Sequence, residues 1–192
     1  MFELPVSIQV EEQSYNIRNR GDFRMVLDCF AALNDRELPK QDRIIASLMI
    51  FYEAFEEVED VMNCPILEDL VKQMYKFFNC GQEDGIGNKV NHNLIDWVKD
   101  EQIICSAINN VAKKEIRLEE YVHWWTFMGY YLAIGESPMS TIISIRNKIV
   151  ENKKLEKHEQ EFRRNNPQYF TWQSESVEEK DAHDAIMDMW NS

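Results

Sequence analysis

LEEYVHWWTFMGYYLAI, residues 118–134, is the stretch whose reading decides the fold. Leu118, Val122, Trp125, Gly129 and Leu132 follow the 3.6-residue helical period, with Tyr121 and Met128 beside them, and Trp124, Phe127, Tyr131 and Ile134 form a second apolar stripe. A surface helix carries one such stripe. Two stripes predict a central helix wrapped by other helices on more than one side. The tandem Trp124 and Trp125 read as core-filling rings rather than a recognition surface, because aromatic residues at helical spacing usually mark packing.

Toward the amino terminus the segments that would wrap this helix follow one another. Asp22 is placed to cap a helix with apolar positions Phe23, Val26, Leu27, Phe30 and Leu33. A second helix after Pro39 carries Ile44, Leu48, Phe51, Tyr52 and Phe55, and a third from Pro65 carries Ile66, Leu67, Leu70, Val71, Met74, Phe77 and Phe78 before Gly81 stops it. The stretch from Glu53 to Asp60 between them reads as acidic. Pro5–Val10 and Ser14–Ile17 alternate at period two around a polar Glu11-Glu12-Gln13, which predicts a small hairpin. A fourth helix runs from about Trp97 through Ile104, Ala107, Ile108 and Val111 toward Lys113. Beyond the central helix, Ser137-Pro138 caps and restarts the chain into a helix lined by Met139, Ile142, Ile143, Ile149 and Val150. The polar NKKLEKHEQEFRRNN that follows predicts a solvated helix. The expected fold class is therefore mainly α. It comprises a compact multi-helix domain with an amino-terminal β-hairpin over 1–166, and a short acidic tail, partly helical or disordered, over 167–192.

Composition narrows the function. The 192 residues are 44% hydrophobic and 29% charged, which suits a globular chain, and the net charge of −13 disfavours binding to a phosphate backbone. No apolar run reaches the ~20 residues that span a bilayer. The amino terminus lacks the basic and apolar regions of a secretory signal, so the expectation is a soluble intracellular protein with no membrane and no nucleic-acid partner. Cys29, Cys64, Cys80 and Cys105 have no paired spacing, which predicts four reduced thiols rather than a zinc site or disulfide framework.

Three constellations invite chemistry. GIGNK, at residues 85–89, lacks the phosphate-loop spacing and no buried strand precedes it. His92, Asp96 and Asp100 fall at i, i+4 and i+8, a spacing open to metal ligation, but helix capping explains Asp96 more simply. The tail keeps Ile186, Met189 and Trp190 at helix-compatible spacing among its carboxylates, which marks it as a candidate partner-binding segment that folds when bound. No catalytic residue, metal or cofactor is expected.

The run DWVKDEQIICSAINNVAKKEIRLEEYVHWWTFMGYYLAIGES and the following STIISIRNK resemble the bacteriophage gene-product-fifteen family of tailed phages and prophages of Gram-positive hosts. The resemblance rests on Asp96, Trp97 and Asp100, on His123, Trp124, Trp125 and Phe127 of HWWTF, and on Ile142, Ile143 and Arg146, with the hairpin and GDFR at Gly21–Arg24 in agreement. It implies a tail assembly chaperone that binds the tape measure protein. Other tail proteins and self-association are further partner options. The implied place is the host bacterial cytoplasm during infection or prophage expression, and not the mature virion. From other classes, an acidic inhibitor mimicking DNA would need its carboxylates in a duplex-like double row, and a metal enzyme would need His92, Asp96, Asp100 and His123 to converge.

Overall fold

The computed structural model describes residues 3–82 and 94–171 of the chain. By internal contacts these residues, expected as one body, form two compact units: 3–82 with 121–127, and 94–120 with 128–171. The expected GIGNK loop, His92, and the tail positions Ile186, Met189 and Trp190 lie outside the described residues.

The first unit begins with an antiparallel hairpin of β1 (Ser7–Val10) and β2 (Gln13–Asn16), in which Ser7 faces Asn16 and Val10 faces Gln13. Its two-residue turn puts Glu11 at φ 53, a conformation that glycine usually supplies. Asp22 then caps α1 (Phe23–Asn34) by accepting the Arg24 N–H, as its short acidic side chain predicts. Helix α1 packs on α2 (Lys40–Phe51), which starts directly after Pro39. The stripe expected to continue to Phe55 ends earlier, because Tyr52 turns extended, bridges Ile17 and sends its hydroxyl to the Leu70 carbonyl at 2.7 Å. Within the acidic stretch a short helix, α3 (Val58–Met62), forms on a capping box of Glu57 and Asp60, a local signal that needs almost no apolar face. Helix α4 (Leu67–Phe78) buries Leu67, Leu70, Val71, Met74, Tyr75, Phe77 and Phe78.

In the second unit, Leu94 and Ile95 lead into α5 (Glu101–Ala112), which ends on Lys113 in the left-handed conformation. Asn109 then ties down the following 3-10 turn, Ile116–Leu118, by accepting the Ile116 N–H at 2.8 Å. Helix α6 (Trp124–Leu132) gives its first four residues to the first unit and the rest to the second. The Ser137 capping box with Pro138 in the first turn starts α7 (Pro138–Val150), as expected, and α7 packs against α5. Helix α8 (Lys157–Asn165) is polar, and the chain closes into a 3-10 turn over Pro167–Phe170. Among the described residues no helix is long and apolar enough to cross a membrane.

The central helix is shorter than its apolar pattern. Residues 119–122 are not helical: Val122 accepts the Phe23 N–H at 2.9 Å and donates its own N–H to the Asp22 carboxylate at 2.8 Å. Pairing with the start of α1 thus overrides helical periodicity, and a β-branched residue suits the extended backbone. As a result the stripe through Leu118, Gly129 and Leu132 is not the core. Leu118 is 83% exposed and Leu132 63%, whereas Trp124 and Phe127 of the other stripe are buried. Trp125, expected in the core, is half-buried; Trp124 is the ring that fills it.

Candidate functional site: two buried polar centres

The marked residues that the structure describes fall into two groups, one in each unit. In the first, His123 takes the position before α6 and its Nδ1 accepts the Trp125 N–H at 3.0 Å. That places the ring proton on Nε2, 2.9 Å from the Pro5 carbonyl, so the neutral imidazole joins the entry to the hairpin to the start of α6. Burial pushes the His123 pKa below its ordinary value of 6.5, against the upward pull of the Pro5 carbonyl and the Asp22 charge. Gly21, at φ +76, lies under the ring: a Cβ there would come within 2.8 Å of Phe77 and 3.1 Å of His123 Nε2. Only glycine fits both that backbone and that space.

Around His123 the indoles are anchored at both ends. Trp124 Nε1 donates to the Phe78 carbonyl at 2.9 Å and Trp125 Nε1 to the Phe77 carbonyl at 3.0 Å, so the tandem satisfies two acceptors near the end of α4. Trp124 stacks on Phe127, which in turn stacks on Phe23 at 4.5 Å between ring centres. Trp125 lies over Gly81, where a Cβ would come within 3.0 Å of the indole. These contacts explain HWWTF as a clasp between α1, α4 and the chain entering α6.

In the second unit Arg146 is 1% exposed, and its five N–H groups are all engaged. Nη1 and Nη2 fork onto the Asp100 carboxylate, Nη1 also reaches the Leu94 carbonyl at 2.8 Å, and Nε and Nη2 share the Tyr169 carbonyl. Asp100 also accepts the Asp96 N–H at 3.0 Å, while Asp96 accepts the Lys99 N–H at 3.0 Å. Asp96 and Asp100 are thus turn-closing residues ahead of α5 and do not share a helical face as a ligand pair would. Trp97 packs its ring 5.6 Å from Tyr131, whose phenol is pushed well above its usual range by burial and by the Asp100 charge. Ile142 is buried and Ile143 half-buried on α7. The Tyr169 carbonyl lies beyond the expected boundary at Asn166, so the folded chain continues past the start assigned to the tail.

These centres are built for architecture. Every polar side-chain atom buried among the described residues has a hydrogen-bond partner. Among the described residues no three of His, Cys, Asp and Glu converge as a metal site would require. His123 belongs to the first unit, and Asp100 is committed to Arg146 in the second. The four cysteines are free, and burial pushes the Cys80 thiol up to about 11 and Cys29 higher still, which removes thiolate character. Sequence reasoning singled out Arg146 and Asp100 without their pairing, and it missed the seat that Gly21 makes for His123. A signal for the pair was present: Arg146 falls at i+7 from Met139 and i+4 from Ile142, on the apolar stripe of α7, where a cation requires a buried partner.

Fold and site together define a mainly helical protein with an amino-terminal hairpin, whose marked residues serve to join its elements. The chain belongs to the bacteriophage Gp15 protein family, whose model matches residues 1–170, and it is a phage protein. The Gp15 family is not a known enzyme family. Comparison with curated proteins and with solved structures gives no match.

Proposed function

We propose that this chain is a non-enzymatic tail assembly protein that binds the tape measure protein of its phage and keeps it soluble until the tail is built. The observation that carries this reading is family membership over 1–170. The commitment of Asp100, His123 and Arg146 to interior hydrogen bonds supports it, since it leaves the surface to do the work. A tape measure is a long helical chain with apolar stripes, and a highly charged helical partner can cover such stripes while staying soluble. The protein then acts in the host cytoplasm and is not retained in the mature virion. The carboxyl-terminal segment with Ile186, Met189 and Trp190 adds apolar contacts to the partner.

Co-expression tests the reading. The tape measure protein is expected in the soluble fraction with this chain and in aggregates without it; equal insolubility in both cases contradicts the proposal. Removing residues 172–192 separates the tail's share, and the cut belongs after Thr171, because Arg146 holds the Tyr169 carbonyl. Unchanged solubilisation by the shortened chain overturns the tail's part alone.

A further inference from the structure

A groove of about 460 Å³ lies along α8 and the turn after it, lined by Leu155, Gln160, Arg163, Arg164, Phe170, Pro167 and Thr171. Leu155 and Phe170 give it apolar lining, and the two arginines of the last turn of α8 line it as well. The Arg163 guanidinium is exposed and has no carboxylate or hydrogen-bond partner among the described residues. Among the described residues Arg164 reaches only Glu161, at 3.8 Å, with both side chains mostly in solvent. Such a pair is weak and easily exchanged.

The local charge is the reverse of the whole. Residues 153–164 carry Lys153, Lys154, Lys157, Arg163 and Arg164 against Glu156, Glu159 and Glu161, in a chain of net charge −13. Of those carboxylates, Glu159 is already held by Lys148 at 2.6 Å. A long polyanion would feel the full negative chain. A short segment feels only charges within a Debye length, about 8–10 Å at ordinary salt, and meets the basic strip.

The geometry points to this groove as a docking site for an acidic segment of a partner protein, one that offers an aliphatic or aromatic anchor flanked by carboxylates. The anchor packs against Phe170 and Leu155. The carboxylates take the forked donors of Arg163 and Arg164, which match carboxylate geometry in a way lysine does not. The inference goes beyond the chaperone reading and stands whether or not the tape measure protein is the occupant.

The test uses the full chain and a short fluorescent amphipathic peptide of Glu, Leu and Phe, with its Lys-for-Glu counterpart and a single-stranded oligonucleotide as comparisons. Saturable binding of the acidic peptide alone is expected. It should weaken about ten-fold or more in R163E/R164E, as expected for loss of two charge-assisted contacts, and weaken also in Phe170→Ala, while R163K/R164K keeps part of it. Should R163E/R164E lose helicity, R163Q/R164Q is judged in its place. Peptide affinity unchanged by these substitutions, or matched by the oligonucleotide or the basic peptide, overturns the proposal. No tape measure protein enters the assay, so its failure is distinct from failure of the chaperone reading.

Discussion

The two units bury polar groups by opposite means. In the first, a neutral imidazole sits among Phe77, Trp125 and a glycine, with its two nitrogens satisfied by backbone. In the second, a full ion pair is buried and every guanidinium donor is used. The first arrangement tolerates burial because no charge is present, and it is exposed to any condition that adds one. The second tolerates it because both charges are matched, and it fails if either partner is removed alone.

The largest expected effect follows from the second arrangement. Arg146→Ala should cost about 3–5 kcal/mol, because the Asp100 carboxylate is left buried and unpaired. Arg146→Lys should recover little, since an ammonium cannot fork onto Asp100 and also reach two carbonyls. The paired change R146M/D100L should regain most of the loss, and chemical denaturation of the parent, the single variants R146M and D100L, and the pair measures it. Additive losses in the pair would show that the two side chains act independently.

In the first unit Trp124→Ala should cost about 3–5 kcal/mol as a fully buried ring. Trp125→Ala should cost less, about 1–3 kcal/mol, because only part of that ring leaves water and one hydrogen bond goes with it. A reversed order would return Trp125 to the core position that the sequence pattern assigned to it. Trp124 and Trp125 lie about 100° apart on a helix, one on each of the two apolar stripes, so periodicity alone could not rank them. The ranking depends on where α6 begins, and that was set by backbone pairing between Val122 and the start of α1, a contact 100 residues apart in sequence. Local signals fared better: the Asp22 cap, the Ser137-Pro138 start and the apolar stripe of α4 each placed a helix to within a few residues. The Asp100–Arg146 pairing stayed hidden because a charge on an apolar stripe announces a partner without saying which. Helix α3 stayed hidden because it rests on a capping box and buries only Val61.

The two centres should also part company on acidification. The folded pKa of His123 is lowered by burial, so the unfolded chain binds the proton more readily, and stability is lost as pH falls through 6.5 toward the folded value. Urea midpoints between pH 7.5 and 5.5 should fall in the parent protein, with a shallower fall in His123→Asn. Identical slopes would remove His123 as the cause. Smallest and opposite in sign is Gly129→Ala: a Cβ there meets nothing within 4 Å, so removing glycine from α6 should stabilise the fold by about 0.5–1 kcal/mol. A loss of thermal stability instead would reveal close packing at that face.

The central claim is that the marked residues of the two polar centres build the scaffold and leave partner binding to the surface. It is tested most directly by co-expressing the tape measure protein with R146M/D100L, alongside the parent chain, once circular dichroism shows the double variant folded. Solubilisation equal to that by the parent chain is the predicted result; a folded double variant that leaves the tape measure protein in aggregates, where the parent chain does not, would contradict the claim.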